Sequence, residues 1–219
     1  MNEIQQFILN DIQPLSLNDS IQTALDIALE YKFSHIPVVE NNVYLGCLIA
    51  EDAENAMENS TVADFKFTLD KFFTLNTTSW FDVLQIFSKN DSNLVPVLDA
   101  NNKYVGFYEL SDCIKLLSDT PFLSEEGSTI IVEKSINSYS FSEVTQIIES
   151  NNSKILGFFI SNFTDGTVQL SIKLNTANMS GVLQTFRRYD YDVISDHIDD
   201  SYANNLKNNS DYLDKYLNM

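Results

Sequence analysis

Apolar residues at Ile21, Ala24, Leu25, Ala28 and Leu29 recur three and four apart, so the stretch after Asn18-Asp19-Ser20 predicts an amphipathic helix capped by one of those three polar residues. Ser34 to Val39 is rich in β-branched residues and predicts a strand. Glu40-Asn41-Asn42 predicts a turn, Val43 to Ile49 a second strand, and Glu51 to Met57 a short helix. Ahead of this run, Ile4, Phe7 and Ile8 suggest a short amphipathic helix, and Leu15-Ser16-Leu17 alternates as a short strand. The same order then returns. Phe73-Thr74-Leu75 reads as a strand, and Thr77, Thr78 or Ser79 caps a helix carrying Trp80, Phe81, Val83, Leu84, Ile86 and Phe87. Leu94 to Leu98 and Tyr104 to Glu109 are strands about an Asp99-Ala100-Asn101-Asn102 turn, and Asp112 to Ser118 closes with a helix.

The residues repeat as well as the pattern. Ile36-Pro37-Val38-Val39, followed by a turn and Gly46, returns as Val95-Pro96-Val97-Leu98, a turn and Gly106. An aspartate follows each glycine at the same distance, Asp52 and Asp112. A unit of this length recurring in one chain is a supersecondary element that needs its copy to bury its open face. Thr120-Pro121 ends the repeated region, because proline cannot continue a helix.

The remaining chain has another rhythm. A strand over Ser128 to Glu133 precedes Ser140-Phe141-Ser142-Glu143, which has the form of a capping box and opens a helix with Val144, Ile147 and Ile148 on one face. Ile155 to Phe163 and Val168 to Leu174 are strands about the hairpin turn Thr164-Asp165-Gly166. Asn178 to Tyr191 is a second helix and Val193 to Ile198 a last strand. The order βαββαβ is the split unit of ferredoxin-like folds. The fold class is therefore α+β: two repeats over 1–63 and 64–122, a βαββαβ domain over 123–200, and a polar tail over 201–219 that could form a docked helix.

Charge narrows the partners. The 219 residues carry a net charge of −18, and residues 1–122 hold six lysines, no arginine and eighteen acidic groups. Such a surface repels nucleic acid and anionic membranes, whose binding relies on Lys and Arg. No apolar run is long enough to span a bilayer, and the N-terminus lacks the marks of a signal peptide, so a cytoplasmic location is expected. Cys47 and Cys113 have no metal-type or redox spacing and read as buried, inert thiols. With only His35 and His197 as histidines, neither a zinc site nor a histidine-based triad has its parts. No catalytic or metal-ligating set emerges, and no cofactor is expected to be required.

The doubled Pro motif, turn, glycine and aspartate resemble a pair of cystathionine-β-synthase-type (CBS) domains, the Bateman module. With the C-terminal βαββαβ part, the chain is similar to bacterial proteins that join a CBS pair to an ACT-like domain, of the acetoin-utilisation type. The resemblance implies a regulatory protein rather than an enzyme, a homodimer joined through helical faces, an unnamed protein partner, and an adenosyl ligand between the repeats. It also implies binding positions at His35, Pro37, Ile49, Asp52, Pro96, Glu109 and Asp112. Ionised Asp52 or Asp112 suits both hydroxyls of a ribose. The Ser/Thr expected three residues before each aspartate is Ile49 in one repeat and Glu109 in the other, so a neutral donor is missing from both. The scarcity of basic residues disfavours phosphates, so S-adenosylmethionine or methylthioadenosine suits the charge better than an adenine nucleotide. Structural roles stand beside these: Asp52 and Asp112 as helix caps, His35 as a satisfied strand residue, Pro37 and Pro96 as strand-shaping residues, Trp80 as core or interface, and Glu51, Glu54 and Glu58 as a solvated helix face. A scaffold with empty pockets that binds another protein is the alternative. The ACT-like part lacks Gly or Pro in the turn Ser135 to Ser140, which favours a structural or dimerising role over amino-acid binding.

Overall fold

The computed structural model describes residues 3–194 and divides the chain into one unit ending at Ser118 and another beginning at Asp119. The expected tail, 201–219, the end of the expected last strand and His197 lie outside the described residues.

In the first unit a 3-10 turn over Glu3–Phe7 precedes α1 (Ile21–Tyr31), β1 (His35–Glu40), β2 (Val43–Ile49) and α2 (Ala50–Glu54). A second 3-10 turn, Val62–Phe65, leads to β3 (Thr74–Leu75), α3 (Trp80–Asn90), β4 (Leu94–Leu98), β5 (Tyr104–Glu109) and α4 (Leu110–Ser118). Ser20 and Ser79 cap α1 and α3 by accepting from the N–H of Thr23 and Asp82, so in each repeat the residue next to the helix does the capping. α2 is shorter than expected: Asn55 turns its side-chain amide onto the Glu51 carbonyl at 2.8 Å and ends the helix.

The two hairpins are copies to the level of single pairs. His35 faces Ile49 and Pro37 faces Cys47 in one, and Leu94 faces Glu109 and Pro96 faces Phe107 in the other. Both carry a bulge at the same place, after Val38 and after Val97. The ladder from β1 to Leu15 uses the Pro37 carbonyl and the Val39 N–H, so it never calls on the N–H that proline lacks.

Equivalent residues of the two repeats also meet each other. Ser34 and Asn93 each donate a backbone N–H to the other's side chain, at 3.0 and 3.2 Å. Val43 bridges Lys103, and the rings of Tyr44 and Tyr104 stack at 6.5 Å. Contact between like positions defines a local two-fold axis running between the repeats. Each sheet is finished by a segment from elsewhere in the chain: Asp70 exchanges backbone bonds with Cys47, and Leu9 with Phe107. Gly46 and Gly106, at φ +145° and +147°, permit these crossings. A Cβ on Gly46 would lie 2.7 Å from Leu69 Cβ, and one on Gly106 would run into the Leu9 carbonyl oxygen.

The second unit opens with a short helix, α5 (Pro121–Ser124). Pro121 thus starts a helix at its first position, where a missing N–H costs nothing, besides ending the region before it. Then come β6 (Ser128–Ser135), α6 (Phe141–Ser150), β7 (Lys154–Thr164), β8 (Thr167–Asn175), α7 (Met179–Arg188) and β9 (Asp192–Val193). The sheet is antiparallel in the order β7-β8-β6-β9, the split βαβ arrangement of ferredoxin-like folds. Ile130, Val132, Leu170 and Ile172 of the strands pack with Ile147, Ile148, Leu183 and Phe186 of the helices in a closed core. The expected capping box is not formed. Ser140 makes no side-chain cap bond, and Glu143 turns instead to the Lys134 ammonium at 2.7 Å, a full charge that outcompetes a backbone N–H. Hydrogen bonding to Lys134 holds the Glu143 carboxyl below its usual range.

Candidate functional site

A cleft of about 620 Å³ opens where β1 and β2 of the first repeat give way to α2. Its floor is Ser34, His35 and Ile49, one wall is Glu51 and Glu54 of α2, and the others are Asp70 of the crossing segment and Asn90-Asp91 at the end of α3. It gathers parts of both repeats because the local two-fold brings the end of α3 over the first hairpin.

His35 is the buried polar group of this cleft, with 5% of its surface exposed. Nδ1 lies 2.9 Å from the Ser34 hydroxyl and Nε2 3.4 Å from the Asp70 carboxylate, while the ring stands edge-on to Phe72. Burial lowers the imidazole pKa below 6.5; the charge and hydrogen bond of Asp70 act against this but do not overcome it. At neutral pH the cleft therefore presents a neutral ring amid the carboxylates of Glu51, Glu54, Asp70 and Asp91. The negative end of the α3 dipole adds to that field.

Of the residues singled out in the sequence, the structure brings His35 and Ile49 into this cleft. Pro37 and Pro96 are buried in the centres of β1 and β4 and shape strands. The helix-cap reading of the aspartates is corrected. Ile49 occupies the cap position of α2, and Asp52 is the third residue of that helix. Asp112 is likewise the third residue of α4. Each strand runs directly into its helix at residues 50 and 110, whose N–H groups are taken by the Ser34 and Asn93 carbonyls. Asp52 is half-buried and accepts no hydrogen bond among the described residues. Partial burial raises the Asp112 pKa, against the pull of Lys115. Glu109 accepts from the Ser111 hydroxyl at 3.1 Å.

Sequence reasoning missed Asp70, Asn90 and Asp91, because crossing segments and helix ends enter the cleft only through tertiary structure. Glu51 and Glu54, read as a solvated face, also wall it. Cys47 and Cys113 are free and buried, and burial pushes their thiols up to about 12 and about 11, which leaves them unreactive. Among the described residues no group of three or more His, Cys, Asp or Glu is arranged to hold a metal ion, and no helix is long and apolar enough to cross a membrane.

Comparison with known proteins settles what the repeat is. The CBS domain family model matches residues 4–59 and again residues 69–119. The first unit is a CBS domain pair. CBS pairs are in general regulatory modules. Over 152 residues the chain is 21% identical to inosine-5′-monophosphate dehydrogenase of Methanocaldococcus jannaschii, and it spans 30% of the length of that curated relative. Among solved structures, the chain is similar to a CBS domain pair/ACT domain protein from Thermotoga maritima (19% identity, TM-score 0.47, covering 52% of this chain and 94% of that one). It is also similar to the CBS domains of a transcriptional regulator from Streptococcus pneumoniae (20%, 0.45, 51% and 96%). A third is CBSX2, solved in complex with AMP (17%, 0.45, 52% and 94%).

Proposed function

We propose that the CBS pair is a non-enzymatic sensor that takes an adenosyl metabolite in the first-repeat cleft. The observation that carries this reading is the cleft itself, which lies at the first copy of the repeated motif and has a buried imidazole as its floor. Asp52 of the repeated motif, which follows the wall residue Glu51 in α2 but is not itself part of the lining, and which has no hydrogen-bond partner among the described residues, is the carboxylate we assign to the ribose hydroxyls. Four carboxylates around the cleft oppose phosphates, so S-adenosylmethionine or methylthioadenosine is favoured over AMP or ATP. The ligand would bias a homodimer between two arrangements, and the C-terminal domain, which we read as ACT-like, would pass the change to a protein partner.

The test is thermal melting of the full chain with S-adenosylmethionine, methylthioadenosine, AMP, and ATP with and without magnesium. A ligand that binds only the folded state raises the melting temperature by mass action. The expected result is a rise with an uncharged or cationic adenosyl compound that is lost in Asp52→Ala. A second reading, a scaffold with empty pockets, draws on Ile49 and Glu109, which remove the neutral donor from each repeat. Melting curves unchanged across the whole panel would favour it.

A further inference from the structure

The two repeats are copies, yet the places they build for a ligand are not. The local two-fold relates His35 to Leu94, Cys47 to Phe107 and Asp70 to Leu9, since these residues hold the same register positions in the two sheets. It relates Ser92, just past α3, to Phe33, just past α1. Beside the first-repeat cleft, one residue past its wall residue Asp91, the small and buried Ser92 stays tucked against its own backbone, bonded to Leu94 through both the carbonyl and the N–H. At the equivalent place in the second repeat, the Phe33 ring packs edge-on against Phe107 at 5.5 Å and joins Leu94 in a buried cluster, with Leu9, Ile12 and Ile27 around it. Phe33 is 5% exposed, Leu94 0% and Phe107 1%. The buried imidazole of one cleft is thus replaced in the other by Leu94, part of an apolar cluster that Phe33 fills.

We infer that the module takes one ligand per chain: the first-repeat cleft is open to a small molecule, and its counterpart in the second repeat is filled from within by Phe33. This rests on the ligand reading above. Leu94 in place of His35 and Leu9 in place of Asp70 remove the imidazole and one carboxylate from the filled cleft, so Asp112 and Glu109 stand beside a packed core rather than a cavity.

Calorimetric titration of the full chain with methylthioadenosine and with S-adenosylmethionine tests the stoichiometry. One site per chain is expected, lost in Ser92→Phe, which places a ring against His35, Cys47 and Asp70 as Phe33 does against their counterparts. Two sites per chain, or binding that survives Ser92→Phe in a folded variant, would overturn the inference. A second arm needs no natural ligand. Phe33→Ala should leave an apolar void lined by Leu94 and Phe107, so fluorobenzene should raise the melting temperature of that variant and not of the wild type. Should Phe33→Ala not fold, Phe33→Leu with the same probe replaces it. No fluorobenzene effect in the folded variant sinks the plug. A wild-type chain that binds neither adenosyl compound refutes the ligand reading alone, and the fluorobenzene arm still decides whether the second cleft is filled.

Discussion

At His35 the cost of charge falls on the folded state. The imidazole titrates near 6.5 when the chain is unfolded and lower when folded, so between those values the unfolded chain holds more protons. Its contribution to stability is complete above pH 6.5 and is lost as the pH falls below it. His35→Leu, which installs the residue found at the equivalent place in the second repeat, should flatten the melting temperature between pH 7 and pH 5 relative to wild type. Equal slopes in both proteins would refute this. The Tyr108 hydroxyl is a second single-residue test. It is buried with no hydrogen-bond partner among the described residues, and the equivalent residue in the first repeat is Leu48. Tyr108→Phe removes an unmet polar group and should stabilise the chain by about 1 kcal/mol in urea unfolding. Neither feature is legible in the sequence. A histidine or tyrosine in an apolar strand does not reveal which atoms surround its polar end.

The strands and hairpins were the most legible elements. β2, β4 and β5 have the expected limits, because alternating β-branched residues, bounding asparagines and the repeat itself agreed. Helix ends were less so. Ser20 and Ser79 cap as expected, but Asp52 and Asp112 do not, and the Ser140–Glu143 pattern yields to Lys134, a partner nine residues away in sequence and on another element. Lys134 also bonds the Tyr189 carbonyl at 2.9 Å and lies 4.3 Å over the Tyr191 ring. Lys134→Met should therefore cost on the order of 1–3 kcal/mol by chemical denaturation, more than an exposed ion pair would. The crossings make a sharper test. Gly46→Ala and Gly106→Ala each force a side chain into a crossing segment at positive φ, and each should cost on the order of 1–3 kcal/mol. Gly106→Ala should cost more, since it meets backbone rather than the Leu69 side chain first.

For the whole molecule, the repeat revealed the paired architecture before any contact was known, while the inequality of the clefts stayed hidden. Ser92 and Phe33 lie outside the repeated motif, and only the two-fold shows them to be counterparts. Leu29 of α1 (82% exposed) and Phe81 of α3 (61%) are apolar residues on the outer faces of the two repeats. They are candidate contacts of the proposed homodimer, for which Leu29→Glu with Phe81→Glu should reduce the mass found by light scattering from two chains to one. A wild-type mass of one chain would remove the dimer from the proposal. The crossing of Leu9 to Phe107 has a consequence for synthesis. The Leu9 segment, made ahead of both hairpins of its unit, belongs to the last sheet of that unit, so it must wait for nearly a hundred further residues before its partner emerges. Asp70, by contrast, reaches Cys47 soon after it is made. The repeat translated first can close its sheet while its twin is still being built. A gene cut at the midpoint of the pair would yield one half holding a strand it cannot use and another lacking the strand it needs.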